Sequence, residues 1–421
     1  MDVRPVRRMT NPPDAVVAVP GSKSIANRAL VCAALARGRS ELTNVPDGDD
    51  TLAILACLRG LGLDVELAGD HVSIDGIGVD WSPEPRTLHA ALAGTTSRFV
   101  TALAALGSGP ITIDGDPPLR RRPFGPLHDA ITQLGVSVIA GEAYGHLPAT
   151  VQGPPTSGRV RIRGDVSSQF VTALLLIGPY LPDGLELQLT STLVSRPYVE
   201  MTAAVMAWFG VDTVTLGDQR IEVPQGEYRP AAISIEPDAS SASYALAIAA
   251  LTGGRVTVDG LGADSLQGDA SFADLLSDMG CVVERTARSV TVRGSDELHG
   301  VDLDMADISD LVPTVAVVAA MATTPTRIRG VGFIREKESD RLGDLVHELR
   351  AAGVDVDETD DGLDVRPSRP HAARLGTHHD HRLAMAFAVL GTVVEGIEVE
   401  DPDVVTKSWP SFWHVLDGLT R

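Results

Sequence analysis

Residues 55–67 read LACLRGLGLDVEL: a run with helical spacing, a glycine, then an alternating strand. The phrase returns as LHDAITQLGVSVI (127–139), MTAAVMAWFGVDTV (201–214), FADLLSDMGCVVE (272–284) and LVHELRAAGVDVD (345–357). Its glycines, Gly62, Gly135, Gly210, Gly280 and Gly353, stand 73, 75, 70 and 73 residues apart. A glycine just past a helix supplies the left-handed residue that ends it, and VxV after it has the period of a strand. A second phrase is interleaved: small hydroxyl or acidic residues open an apolar, alanine-rich helix. It starts at Ser22, Thr95, Ser167, Ser240, Ser309 and Asp380, with separations of 73, 72, 73, 69 and 71. These residue types favour helix N-caps.

The chain is therefore six copies of a unit with two helices and several strands. The first helix of each copy is apolar nearly all round and is expected to be buried; the second carries charge and is expected outside or on one sheet face. The last copy's second helix is placed at 412–419. Six units in 421 residues favour two α/β domains of three units each, with the boundary in the turn-rich stretch VPQGEYRPAAISIEPD (223–238).

Composition limits the function. Asp+Glu 56 against Lys+Arg 35 gives a net charge of -21, which argues against a nucleic-acid or anionic-membrane partner. A small anionic substrate is compatible, because a local basic pocket can oppose the global field. The 3 cysteines, Cys32, Cys57 and Cys281, form no CxxC pair, as expected of a protein of the reducing cytoplasm. No apolar run is long enough to span a bilayer.

A helix N-terminus attracts anions through its free N–H groups and its dipole. Scarce cations stand beside these ends: Lys23 and Arg28, Arg98, and Arg382. Other loops add Arg120–Arg122, Lys337 with Arg341, and Lys407. Asp310 and Glu338 are the carboxylates placed for acid–base work. PGSKS lacks the spacing of a phosphate-binding Walker loop. THHDHR offers His378, His379 and His381, yet no cysteine or carboxylate cluster completes a metal set, and it reads as a loop before a helix.

Taken together, GSKSIANR, LAGTTSRF, RRRPFGPL, GDVSSQF, LVSRPY, REKESDRL, DHRLAM and the late Lys407 with Trp409–Pro410 resemble the EPSP synthase (3-phosphoshikimate 1-carboxyvinyltransferase) family. The motifs run in order from residue 21 to 410. The resemblance implies two similar domains, each of three βαβαββ units, closing on an interdomain cleft. It implies domains of 21–229 and of 1–20 with 230–421. It also implies transfer of the carboxyvinyl group of phosphoenolpyruvate to the 5-hydroxyl of shikimate 3-phosphate, by addition–elimination, in aromatic amino acid biosynthesis. Neither cofactor nor metal is implied. The partners would be small anionic substrates, and the enzyme would be a cytoplasmic monomer.

By motif, Lys23 would touch both substrates. Ser24, Arg28, Ser167, Ser168, Ser195, Tyr198 and Lys337 would hold shikimate 3-phosphate, and Gln169 would bridge both ligands. Gly94, Arg122, Arg341, Arg382 and Lys407 would hold phosphoenolpyruvate, at a site the resemblance also assigns to glyphosate. Asp310 would be the base on the 5-hydroxyl, within the shikimate 3-phosphate site, and Glu338 and Lys23 are the two candidate proton donors. Leu92 and Phe333 depart from the residues usual in the family. The alternatives are the sister enzyme that acts on UDP-N-acetylglucosamine, whose loop cysteine is absent from GDPPLRRRPFG, and a non-enzymatic repeat scaffold.

Overall fold

The computed structural model describes residues 2–420, which form two compact units: Gly21–Ile235, and the chain up to Pro20 together with the chain from Glu236 on. The division falls after Ile235, later than 229. Ala232–Ser234 add a parallel edge strand to Gly38–Thr43, so this stretch is held in the first unit by backbone hydrogen bonds.

One sheet plan is repeated. Gly38–Thr43 lies between parallel Ala232–Ser234 and antiparallel His71–Gly76, with Leu42 opposite Val72, and Asp64–Ala68 completes the antiparallel side. The same four-strand order recurs around Ile111–Asp114 and Leu185–Leu189. In the other unit it recurs around Arg255–Asp259 and Thr326–Arg329. The sixth sheet has three strands: Ile397–Glu400 pairs parallel with Ala373–Leu375 and antiparallel with Val3–Pro5. The N-terminal segment thus supplies two edge strands, Val3–Pro5 and Asp14–Val16, to the unit built mainly from the chain after 235.

The helices that open each repeat are Lys23–Leu35, Gly94–Leu106, Ser168–Ile177, Ala239–Thr252, Val312–Ala319 and His381–Gly391. All six are buried over most of their length. Within each unit the three pack on one another, which their alanines allow at close range. The outer helices carry the charge, and the last of them is Phe412–Leu419 as expected. All five repeat glycines have positive φ, from 81° at Gly353 to 108° at Gly280. A side chain there would cost about 1–2 kcal/mol in backbone strain.

The caps differ from expectation at three of the six starts. Ser22, Ser167 and Asp380 do cap, each accepting a backbone N–H from the first turn. Thr95 lies inside its helix, which begins at Gly94 after Ala93, a residue without a capping side chain. Asp238, not Ser240, caps the Ala239 helix, because its carboxylate already takes the Ser241 N–H at 2.7 Å. Ser309 opens a 3-10 turn, Ser309–Leu311, that leads into Val312.

Candidate active site: a polar cluster in each unit

In the Gly21–Ile235 unit, hydrogen bonds join the first turns of neighbouring helices. Lys23 Nζ lies 3.0 Å from Asp50 Oδ2, and the Asp50 carbonyl accepts the Thr96 hydroxyl at 3.1 Å. Asp50 therefore ties the Lys23 helix to the Gly94 helix. Arg98 Nη1 donates to Gln169 Oε1 at 2.8 Å, tying the Gly94 helix to the Ser168 helix, and its guanidinium stacks on Phe124 and Phe170.

Arg28 is buried. Its donors go to the Ser24 and Tyr198 carbonyls and to the hydroxyls of Thr172 and Thr202, at 2.7–3.3 Å. Burial lowers its pKa to about 10, so it stays charged at neutral pH. Ser195, in the left-handed conformation with φ 54°, starts the helix that carries Tyr198.

The Gly94 helix offers the clearest anion site in this unit. Its N-cap, Ala93, has no side chain to satisfy the first N–H groups. Two guanidiniums crowd the same turn: a Cβ built on Gly94 would fall 2.5 Å from Arg122 Nη1 and 2.7 Å from Arg98 Nη1. Glycine here permits the close approach of both arginines. The rest of the arginine run behaves differently. Arg120 is held by Asp114, its Nε and Nη2 each 2.8 Å from a carboxylate oxygen.

In the other unit the cluster is a buried web of charges. Arg341 is 1% exposed and donates to three carboxylates: Asp380 at 2.8 Å, Asp310 at 3.0 Å and Glu338 at 2.5 Å. Asp310 is shared. Its second oxygen accepts from Arg382 Nη2 at 2.8 Å, and Lys337 Nζ is 3.9 Å from the first. Burial alone would raise the Asp310 pKa, but Arg382, Lys337 and Arg341 outweigh it and hold the carboxyl well below the usual range. Lys337 also sits 5.8 Å from the Phe333 ring centroid, so the aromatic departure at 333 gives it a cation–π partner. Leu92, the other departure, is exposed. Lys407 is buried at the end of the turn Pro402–Lys407, which packs on the helix bearing Arg382.

Residues outside the expected ligand set hold these clusters in place. Asp50 pairs with Lys23, Asp380 with Arg341, and Arg98 with Gln169. Asp380 was visible only as a helix cap, and Asp50 only as one acid in a GDD run. The histidine loop has a structural use. His378 Nε2 lies 2.7 Å from Glu348, whose other oxygen accepts the Gly376 N–H, and His379 faces Asp401. Among the described residues, no group of three or more histidine, cysteine, aspartate or glutamate side chains is placed to hold a metal ion. No described helix is long and apolar enough to cross a membrane.

Comparison with known proteins gives one answer. The sequence model of the family described as EPSP synthase (3-phosphoshikimate 1-carboxyvinyltransferase) matches residues 8–416. A 3-phosphoshikimate 1-carboxyvinyltransferase of Nostoc sp. is 40% identical over 98% of both chains, and one of Shewanella sediminis is 42% identical over 96% of both. The fold matches the EPSP synthase of Acinetobacter baumannii with a TM-score of 0.84, at 23% identity, over 100% of this chain and 98% of that one. The enolpyruvyl transferase NikO of Streptomyces tendae matches at 0.77, with 20% identity, over 99% and 97%.

Proposed function

The chain belongs to the EPSP synthase (3-phosphoshikimate 1-carboxyvinyltransferase) family, and on that premise we propose how its residues divide the reaction. The enzyme transfers the carboxyvinyl group of phosphoenolpyruvate to the 5-hydroxyl of shikimate 3-phosphate and releases phosphate. In the addition step the hydroxyl oxygen bonds to C2 of phosphoenolpyruvate, the hydroxyl proton leaves, and C3 gains a proton. In the elimination step the C2–O bond to phosphate breaks, C3 loses a proton, and the double bond re-forms.

Asp310 takes the hydroxyl proton in this proposal. The observation that carries it is the ring of cations, Arg341, Arg382 and Lys337, around that one carboxylate. So depressed a carboxylate is a poor base by itself. The phosphate and carboxylate of phosphoenolpyruvate bring negative charge to the same cations and raise the proton affinity of Asp310 when the substrate is bound. Arg341, Arg382 and Lys407 hold phosphoenolpyruvate, together with Arg122 and the open helix start at Gly94. Ser24, Arg28, Ser167, Ser168, Ser195, Tyr198 and Lys337 hold shikimate 3-phosphate. Lys23 and Gln169 serve both ligands. Glu338 and Lys23 are the proton donors to C3; Glu338 is fixed by Arg341 and Lys23 by Asp50.

The partners are these small anions. The net charge of -21 supports a protein without a nucleic-acid partner, and the three buried thiols support a cytoplasmic setting. We infer a monomer, which light scattering would check. The test of the site is phosphate release by Asp310→Asn and Glu338→Gln. Both are expected to keep ground-state binding of shikimate 3-phosphate and to lose kcat. Near-native kcat in both would remove these carboxylates from the chemistry.

A further inference from the structure

Arg28 is buried, and among the described residues no carboxylate pairs with it. Its partners are neutral oxygens: the Ser24 carbonyl at 2.7 Å, the Tyr198 carbonyl at 3.1 Å, and the hydroxyls of Thr202 at 2.9 Å and Thr172 at 3.3 Å. Those bonds use four of the five guanidinium N–H donors and leave one on Nη1. Arg341 and Arg382 differ, since carboxylates hold both. A buried charge without a counter-ion is costly. Hydroxyl and carbonyl dipoles reduce that cost without cancelling the charge.

Two threonines outside the family motifs make this arrangement. Thr172 lies in the helix Ser168–Ile177 and Thr202 in Arg196–Trp208, and both are fully buried. Their hydroxyl oxygens are 3.1 Å apart. Each hydroxyl has one proton to give. Thr202 gives its proton to the Tyr198 carbonyl at 2.7 Å, so Thr172 is the donor between the two. The Thr202 oxygen then accepts from Thr172 and from Arg28 Nε, and the Thr172 oxygen accepts from Arg28 Nη2. With every proton committed in one direction, the pair holds the guanidinium in one orientation. The web also joins three helices that carry expected ligands of shikimate 3-phosphate: Lys23–Leu35 with Ser24, Ser168–Ile177 with Ser168, and Arg196–Trp208 with Tyr198.

We propose that Thr172 and Thr202 are positioning residues for shikimate 3-phosphate, holding Arg28 in place while leaving its charge to be balanced by the bound anion. The inference rests on the reading of Arg28 as a ligand of that substrate. A carboxylate at either position would hold Arg28 as firmly but would supply the counter-ion itself. A valine keeps the branched shape and removes the acceptor, so a buried N–H of a charged group loses its partner.

The test is calorimetric affinity for shikimate 3-phosphate alone, with steady-state KM for each substrate, in Thr202→Val, Thr202→Ser, Thr172→Val and Arg28→Ala. Thr202→Val is expected to weaken shikimate 3-phosphate binding at least about tenfold. Its KM for phosphoenolpyruvate, at saturating shikimate 3-phosphate, should change by less than about threefold. Thr202→Ser restores the oxygen and should bind to within about twofold of the wild type. Thr172→Val keeps the bonds of Thr202 to Arg28 and Tyr198, so it should show the same split at about threefold, and it carries the test if Thr202→Val does not fold. Equal losses for both substrates, or affinity that stays low in Thr202→Ser, would reduce the threonines to packing and overturn the proposal. Wild-type affinity in both valine variants, beside a loss in Arg28→Ala, overturns the part of the threonines alone. Wild-type affinity in Arg28→Ala overturns this proposal and the reading of Arg28 together.

Discussion

Arg341 shows how strongly a single residue can be fixed by its surroundings. Three carboxylates surround a guanidinium that is 1% exposed, and burial of so many charges is tolerable only because each has a close partner. Arg341→Ala would leave Asp310, Glu338 and Asp380 facing one another. Loss of about 3–5 kcal/mol in stability is expected from urea denaturation, together with weakened phosphoenolpyruvate binding. Asp310→Asn and Glu338→Gln preserve shape while removing the proposed proton-transfer group, and each should lower kcat by about 10²–10⁴-fold in steady-state assays. Gly94→Ala presses a methyl group on Arg122 and Arg98. Its KM for phosphoenolpyruvate should rise while calorimetric affinity for shikimate 3-phosphate alone stays near native; an equal loss of both would mean that only the turn is distorted. These candidate site residues were legible because they lie in short motifs at helix starts. Asp50 was not, since its part comes from the helices that the fold places beside it.

Two buried side chains on other elements, at the next scale, titrate with effects on stability of opposite sign. His128, in the helix Gly125–Gln133, packs against Phe124 and Tyr144 and is fully buried. Desolvation lowers its pKa from 6.5 to about 4. The unfolded chain binds the extra proton between those values, so stability falls as pH drops from 6.5 toward 4. Asp269 has the reverse sign. Its folded pKa is raised from 3.8 to about 7, the folded chain holds the extra proton, and stability falls as pH rises through that window. Each contribution is of the order of a few kcal/mol and they oppose one another between pH 4 and 6.5. Chemical denaturation across that range should show His128→Phe with stability that declines more steeply with rising pH than the wild type. Asp269→Asn should show the opposite change. The helices themselves were readable from apolar spacing, and the glycines that end them from the VxV that follows. The caps were read less well. At Thr95 and Ser240 a hydroxyl stood at the expected place, but Ala93 and Asp238 occupy the capping position, and a shift of one or two residues decides whether a helix start is left for a ligand.

For the molecule as a whole, the six-fold recurrence in sequence becomes six sheets on one plan. What sequence spacing did not reveal is how the chain completes them. Val3–Pro5 and Asp14–Val16 supply edge strands to the distal repeats, and Ala232–Ser234 to the first. Edge pairing between segments so far apart in the chain leaves no local pattern, so the N-terminal segment could be placed only through family resemblance. The repeats diverge in their chemistry: the Gly94 start is open and flanked by arginines, whereas the Ala239 and His381 starts are closed by Asp238 and Asp380. That division gives one unit cations around an uncapped helix and the other a buried carboxylate ringed by cations, the groups that the proposed course of carboxyvinyl transfer uses. Phosphate release from phosphoenolpyruvate tests it most directly, measured with shikimate 3-phosphate, with UDP-N-acetylglucosamine and with no acceptor. Phosphate should appear in one-to-one proportion to the shikimate 3-phosphate consumed, and in Asp310→Asn at a rate at least about a hundredfold lower. Release with the UDP-sugar or without an acceptor, or undiminished release in Asp310→Asn, would contradict it.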